Sequence, residues 1–233
     1  MLRRFAGDLV RTARVAAPAS QRAVRSSRRK RLIAETRASA IWHHATVDLR
    51  IDPDVTIGRG VRVVFEPWSQ NVLHIGPRCW IGDNALIQLK GGSVTLGPGV
   101  HLRRDAILNV AGRLECAGEN LIGWNSVVHC SNEVRIGRQA TIAEQVTIAD
   151  SSHYFSEPDA HVWHNVRIGS VSIGDNTWVC AKATITRDAT VGSHCIVGAN
   201  SVVVGDVPDG SLASGVPAVV RPLSLPWQPR LAR

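Results

Sequence analysis

The chain has 233 residues, 44% hydrophobic and 20% charged, with 27 Lys and Arg against 19 Asp and Glu, a formal charge of +8 and an isoelectric point near 10.1. Such proportions describe a globular chain of about one domain and exclude wholesale disorder or a collagen-like polymer. No apolar run approaches the roughly 18 residues of a membrane span, so a bilayer-spanning chain is not expected.

The excess charge sits at one end. Residues 1–44 carry eleven Arg and Lys against Asp8 and Glu35, a charge of +9, whereas residues 45–233 balance sixteen bases with seventeen acids. Leu2, Phe5, Ala6, Leu9 and Ala13 recur at helical spacing with Arg3, Arg4, Arg11 and Arg14 between them, and Pro18 interrupts the pattern before a second basic stretch that reaches Ala40. The spacing predicts a basic helical arm able to rest on anionic lipid, with a subunit-packing helix pair or a transit peptide as alternatives. Nucleic acid is not an expected partner, because no aromatics are interleaved with the arginines and no nucleic-acid motif accompanies them. Cys79, Cys116, Cys130, Cys180 and Cys195 are odd in number, show no C-x-x-C spacing and follow no secretory signal. A reducing cytoplasm is expected, with the inner face of the plasma membrane as a peripheral location, and most of the thiols are read as small core fillers.

From Ile51 onward an aliphatic residue returns every six positions: Ile51, Ile57, Val63; Ile75, Ile81, Ile87; Leu96, Leu102, Leu108; Cys116, Ile122, Val128; Ile136, Ile142, Ile148; Ile173, Val179, Ile185; Val191, Val197, Val203. Only Cys116 departs from Ile, Leu or Val. Glycine follows at nine of these positions, and a small residue such as Ala85, Ala106, Ser126, Ala140, Ala183 or Cys195 often stands four residues on. Extra residues enter only after every third hexad, numbering 6, 3, 2, 2, 19 and 0 in order. Three short strands per turn with insertions tolerated at one corner account for this, and an amphipathic helix does not. The expected fold is mainly β, a parallel β-helix of about seven turns. Each strand directs its aliphatic residue inward and glycine relieves the turn. Residues 1–44 form the arm, 45–222 the β-helix with a projecting loop at 154–172, and 223–233 a tail.

These hexads, with Ile173-Gly174-Asp175-Asn176-Thr177-Trp178-Val179, Gly198-Ala199-Asn200-Ser201-Val202-Val203 and Ala213-Ser214-Gly215-Val216-Pro217-Ala218, resemble the hexapeptide-repeat acyltransferases, in particular the galactoside, maltose and colanic-acid O-acetyltransferases. The resemblance implies left-handed winding, a homotrimer with sites between protomers, and direct acyl transfer from acetyl-CoA or another acyl-CoA to a hydroxyl, with no metal required. It implies a small-molecule, glycan or glycolipid acceptor. A catalytically silent β-helix scaffold, or an enzyme acting on an antibiotic, an amino sugar or serine, are the alternatives.

Acyl transfer needs a base for the hydroxyl proton, and histidine suits neutral pH. His153 closes the fifth turn and opens the long insertion, the position at which similar sugar acetyltransferases carry their catalytic histidine. Stacking of turns about 4.8 Å apart places Glu133 beneath it as an orienting carboxylate, with Asp150, Glu157, Asp159 or a backbone carbonyl as rivals. The resemblance assigns the acyl-CoA to Trp178, Ala181, Ala199, Gly215, Val216, Pro217 and Arg221. Where relatives carry an asparagine on the preceding turn, this chain has Gly123, with Asn125 two residues later. This departure points to a different hydroxyl donor; Asn125, and Tyr154, Phe155 and Trp163, whose loop is expected to project beside the base, are candidates to meet the acceptor.

Overall fold

A computed structural model describes residues 19–157 and 161–224; the arm's first predicted helix and Asp159 lie outside the described residues. Three parallel sheets form the faces of a prism. On the first face Ile51, Ile75, Leu96, Cys116, Ile136, Ile173 and Val191 are direct strand partners in succession. Ile57, Ile81, Leu102, Ile122, Ile142, Val179 and Val197 line the second. Val63, Ile87, Leu108, Val128, Ile148, Ile185 and Val203 line the third. All 21 hexad positions thus lie on strands and in register, and all but half-buried Ile51 are buried. Each buried aliphatic contributes about 1.5–3 kcal/mol, so the repeat itself is the core.

The small residues four positions on fill the corners of the prism: Ala85, Ala106, Ser126, Ala140, Ala183 and Cys195 are buried. The glycines act differently from the sequence expectation. None of the nine that follow a hexad aliphatic has a left-handed φ. At Gly97 an added Cβ would stand 2.4 Å from the Ala117 carbonyl oxygen, and at Gly123 it would stand 2.3 Å from that of Ala143. Glycine therefore allows the backbone of the next coil to approach. The left-handed turn falls two residues later, on Gly60 and Gly99 after two of them and on non-glycine residues after the others, among them Asn84, Asn125, Asn176 and Asn200. Asparagine tolerates that region because its short side chain bonds locally.

Beyond the seventh coil, Val207 bridges to Val191, and Ala213 pairs with Val197, six residues apart like the others. This partial eighth coil ends in an antiparallel hairpin, Ser211–Gly215 with Ala218–Pro222, turning at Gly215-Val216-Pro217 through a cis Val216–Pro217 bond. At the other end, helix α1 (Ala19–Trp42) lies against the first-coil strands Thr46–Ile51, Thr56–Ile57 and Arg62–Phe65, burying Leu32, Thr36 and Ala40 at four-residue spacing. It covers part of the coil that has no further coil below it. The described helix is not long and apolar enough to cross a membrane.

The long excursion begins before and ends before the expected 154–172. Ser151–His153 pairs antiparallel with Val166–Ile168, and Ser170–Ile173 is already back on the first face. The excursion is a two-stranded arm whose connection runs through residues 154–165.

Candidate functional site

His153 ends the outgoing strand of that arm, directly opposite Val166. The strand leaves the prism because Asp150, fully buried, turns the chain: its carboxylate accepts the N–H groups of Ser131 (2.7 Å), Asn132 (2.7 Å) and Glu133 (2.9 Å) in the coil below. A buried carboxylate with three backbone donors is satisfied as a structural group. The arm is also tied to the next coil, where the Arg187 Nε donates to the Ser152 hydroxyl at 3.1 Å.

The connection folds back over the histidine. The short 3-10 turn Val162–His164 brings the Val162 carbonyl oxygen to 3.1 Å from His153 Nδ1 and lays the Trp163 ring near-parallel to the imidazole, with centroids 5.9 Å apart and planes at 18°. A carbonyl oxygen only accepts, so Nδ1 carries the proton and the neutral ring presents Nε2 as a bare acceptor. Nε2 has no partner among the described residues, and the side chain is exposed. Other histidines are engaged or covered: His74 with Asp48, His129 with Asn109, His194 with Asn176, and His101 edge-on to Trp80.

Glu133 does not stand beneath His153. The two residues inserted after the fourth coil carry it onto the first face, where its strand partners are Arg113 and Ser170. Its carboxylate is bonded to Arg113 and Arg135, and the Arg113 hydrogen bond is the main cause that holds its pKa below the usual carboxylate range. The backbone carbonyl of Val162 fills the place of the expected carboxylate. No sequence signal marks that group, because every residue has one and only the loop conformation selects it.

Tyr154 packs under the Arg167 guanidinium, 4.5 Å from ring centroid to charge, and its N–H donates to the Asn165 carbonyl. Phe155 and Trp163 are exposed on the same excursion. The remaining candidates lie elsewhere on the prism. Trp178 projects from the second face, in register with Thr141 and Ile196. Ala181 and Ala199 stand at the next corner in consecutive coils, linked by the Asn200 N–H to the Ala181 carbonyl, and their own N–H groups take no part in the ladder. Asn125 lies at the same corner two coils earlier, exposed and left-handed. Gly215, Val216 and Pro217 form the terminal hairpin turn, and Arg221 is exposed beyond it opposite Leu212. Cys180, beside Trp178, is a free thiol whose pKa burial pushes up to about 11. Among the described residues no group of three or more His, Cys, Asp or Glu is arranged to hold a metal ion.

Hexad coils, corner insertions confined to one edge and an arm bearing an oriented histidine define a parallel β-helix of the hexapeptide transferase class. The family pattern described as "Bacterial transferase hexapeptide (six repeats)" matches residues 170–205. WbbJ of Escherichia coli, named for lipopolysaccharide biosynthesis O-acetyl transfer, is 32% identical over 143 residues, 55% of this chain and 71% of WbbJ. A protein of Mycobacterium tuberculosis named as a probable acetyltransferase is 30% identical over 181 residues, 77% of this chain; the matched region spans 53% of that relative's length. Among solved structures, the polysialic acid O-acetyltransferase OatWY has the same fold, with a TM-score of 0.56 and 17% identity, covering 81% of this chain and 89% of that one. The chain belongs to the hexapeptide-repeat acyltransferase family.

Proposed function

We propose that the chain is a CoA-dependent O-acyltransferase that transfers acetyl from acetyl-CoA to a hydroxyl of a sugar, glycan or glycolipid precursor. The observation that carries this reading is the Val162 carbonyl holding His153 Nδ1–H, which leaves Nε2 free to accept a proton. In the proposed step Nε2 takes the acceptor hydroxyl proton as the oxygen attacks the thioester carbonyl. The new O–C bond forms, the C–S bond breaks, and the proton passes to the departing CoA sulfur. The names of WbbJ and the mycobacterial relative support the acetyl group and the sugar acceptor.

In this reading acyl-CoA lies along the corner of Ala181 and Ala199. Their small side chains leave room for the pantetheine arm, and their uncommitted N–H groups suit its amide oxygens. Trp178 borders the thioester, and Gly215, Val216, Pro217 and Arg221 lie toward the nucleotide. Tyr154, Phe155, Trp163 and Asn125 are the proposed acceptor contacts. His153 follows a third-face strand whereas Trp178 projects from the second face, so the two half-sites of one chain point apart. A homotrimer, in which one copy's histidine arm meets its neighbour's corner, completes the site. Release of CoA from acetyl-CoA in the presence of sugar and glycan acceptors tests the activity. A scaffold would neither turn over nor bind CoA.

A further inference from the structure

The three most exposed large apolar side chains among the described residues are Trp42 (82%), Ile41 (76%) and Trp68 (75%), and they belong to one block. Ile41 and Trp42 end α1. Trp68 sits in the turn after the first coil, and its N–H donates to the His43 carbonyl at 3.0 Å. Its ring stacks on His44 with centroids 4.4 Å apart and planes at 7°. The Ser69 hydroxyl braces the turn by donating to the Glu66 carbonyl at 2.6 Å. Among the described residues fourteen non-glycine residues have a left-handed φ. Twelve stand at the fourth position of a hexad, where the fold requires it; the other two are His44 and Trp68. A tryptophan held in that region outside the repeat is strained, and here the strain presents its ring to solvent.

The charge beside this patch is one-sided. Helix α1 carries seven Arg and Lys against the single acid Glu35, which is engaged by Arg31 at 2.7 Å. Lys30, Ala34, Arg37 and Ile41 fall on one exposed line, opposite the buried line of Leu32, Thr36 and Ala40. Lys30 and Arg37 have no ion-pair partner among the described residues. Cations leading to a tip of Ile and Trp match the two layers of an anionic bilayer surface, with phosphates meeting the bases and the headgroup zone taking indole rings.

We propose that Ile41, Trp42 and Trp68, with Lys30 and Arg37 behind them, dock the chain on an anionic phospholipid bilayer. The proposal stands apart from the catalytic reading and includes a segment, the Trp68 turn, that lies outside the basic arm. Docking would hold the prism at a membrane surface.

The test is cosedimentation of the full chain with phosphatidylcholine vesicles, with and without phosphatidylglycerol. Wild type is expected to pellet only when phosphatidylglycerol is present. Trp42→Ser with Trp68→Ser should weaken partitioning by roughly tenfold or more, and Lys30→Gln with Arg37→Gln by roughly tenfold. The Trp42→Phe, Trp68→Phe variant should restore most binding. Circular dichroism melts matching wild type exclude misfolding of the variants. Absence of wild-type binding, or equal binding by the double serine variant, overturns the proposal. So does a self-association that the serine variant abolishes without lipid binding, which would make a second copy the occupant. Protection of Trp42 and Trp68 from iodide quenching without lipid would assign the patch to residues 1–18 and overturn it equally.

Discussion

His153 Nδ1 lies 3.1 Å from the carbonyl oxygen of Val162, nine residues along the chain, and this one bond fixes which nitrogen of the ring is bare. The bond exists because the arm strands pair His153 with Val166 and the 3-10 turn at Val162–His164 doubles the chain back. A backbone acceptor sets the tautomer without adding a second charge to the site.

The Trp163 ring lies over the same imidazole and holds its plane. An aromatic pair contributes about 0.5–1.5 kcal/mol, so Trp163→Ala should lower kcat by roughly 2- to 10-fold, while Trp163→Phe stays near wild type. Steady-state CoA release checks this. A change confined to KM would leave Trp163 with its acceptor contact alone and remove its role in positioning His153.

Gly123→Ala forces a Cβ to within 2.3 Å of the Ala143 carbonyl. Overpacking of this kind costs about 1–3 kcal/mol, and thermal denaturation should show a lower Tm. Gly205, where a Cβ meets nothing within 4 Å, is the control, and Gly205→Ala should stay within about 0.5 kcal/mol. The same crowding disfavours an asparagine at position 123.

Cys180 should be a poor nucleophile at neutral pH. Burial raises its thiol pKa to about 11, so the thiolate is scarce at pH 7 and its fraction grows about tenfold per pH unit up to that value. Iodoacetamide labelling at Cys180 should follow that rise. A plateau near pH 8.5, the ordinary cysteine value, would contradict it and reopen a covalent route.

The prism was legible because burial in a parallel β-helix imposes a strict sequence period: every hexad aliphatic from Ile51 to Val203 lies on a strand and in register. The partial eighth coil follows the same rule through Val207 and Ala213, but the break after Val203 obscures it. The role of glycine is ambiguous in the sequence because close approach and a left-handed φ select the same residue, and here it is close approach. The geometry around His153 was least legible. Glu133 was expected beneath it from coil stacking, but the arm begins before the coil is complete, and the group that does reach the ring is a main-chain carbonyl. The His44–Trp68 stack joins residues 24 apart through a turn without periodicity.

The central claim is that His153 removes the acceptor proton. The most direct measurement compares CoA release from acetyl-CoA by wild type and His153→Ala, on an acceptor that wild type turns over, with CoA binding followed by calorimetry. A general base predicts a loss of about 10²-fold or more in turnover with CoA affinity retained; an unchanged rate would contradict the account.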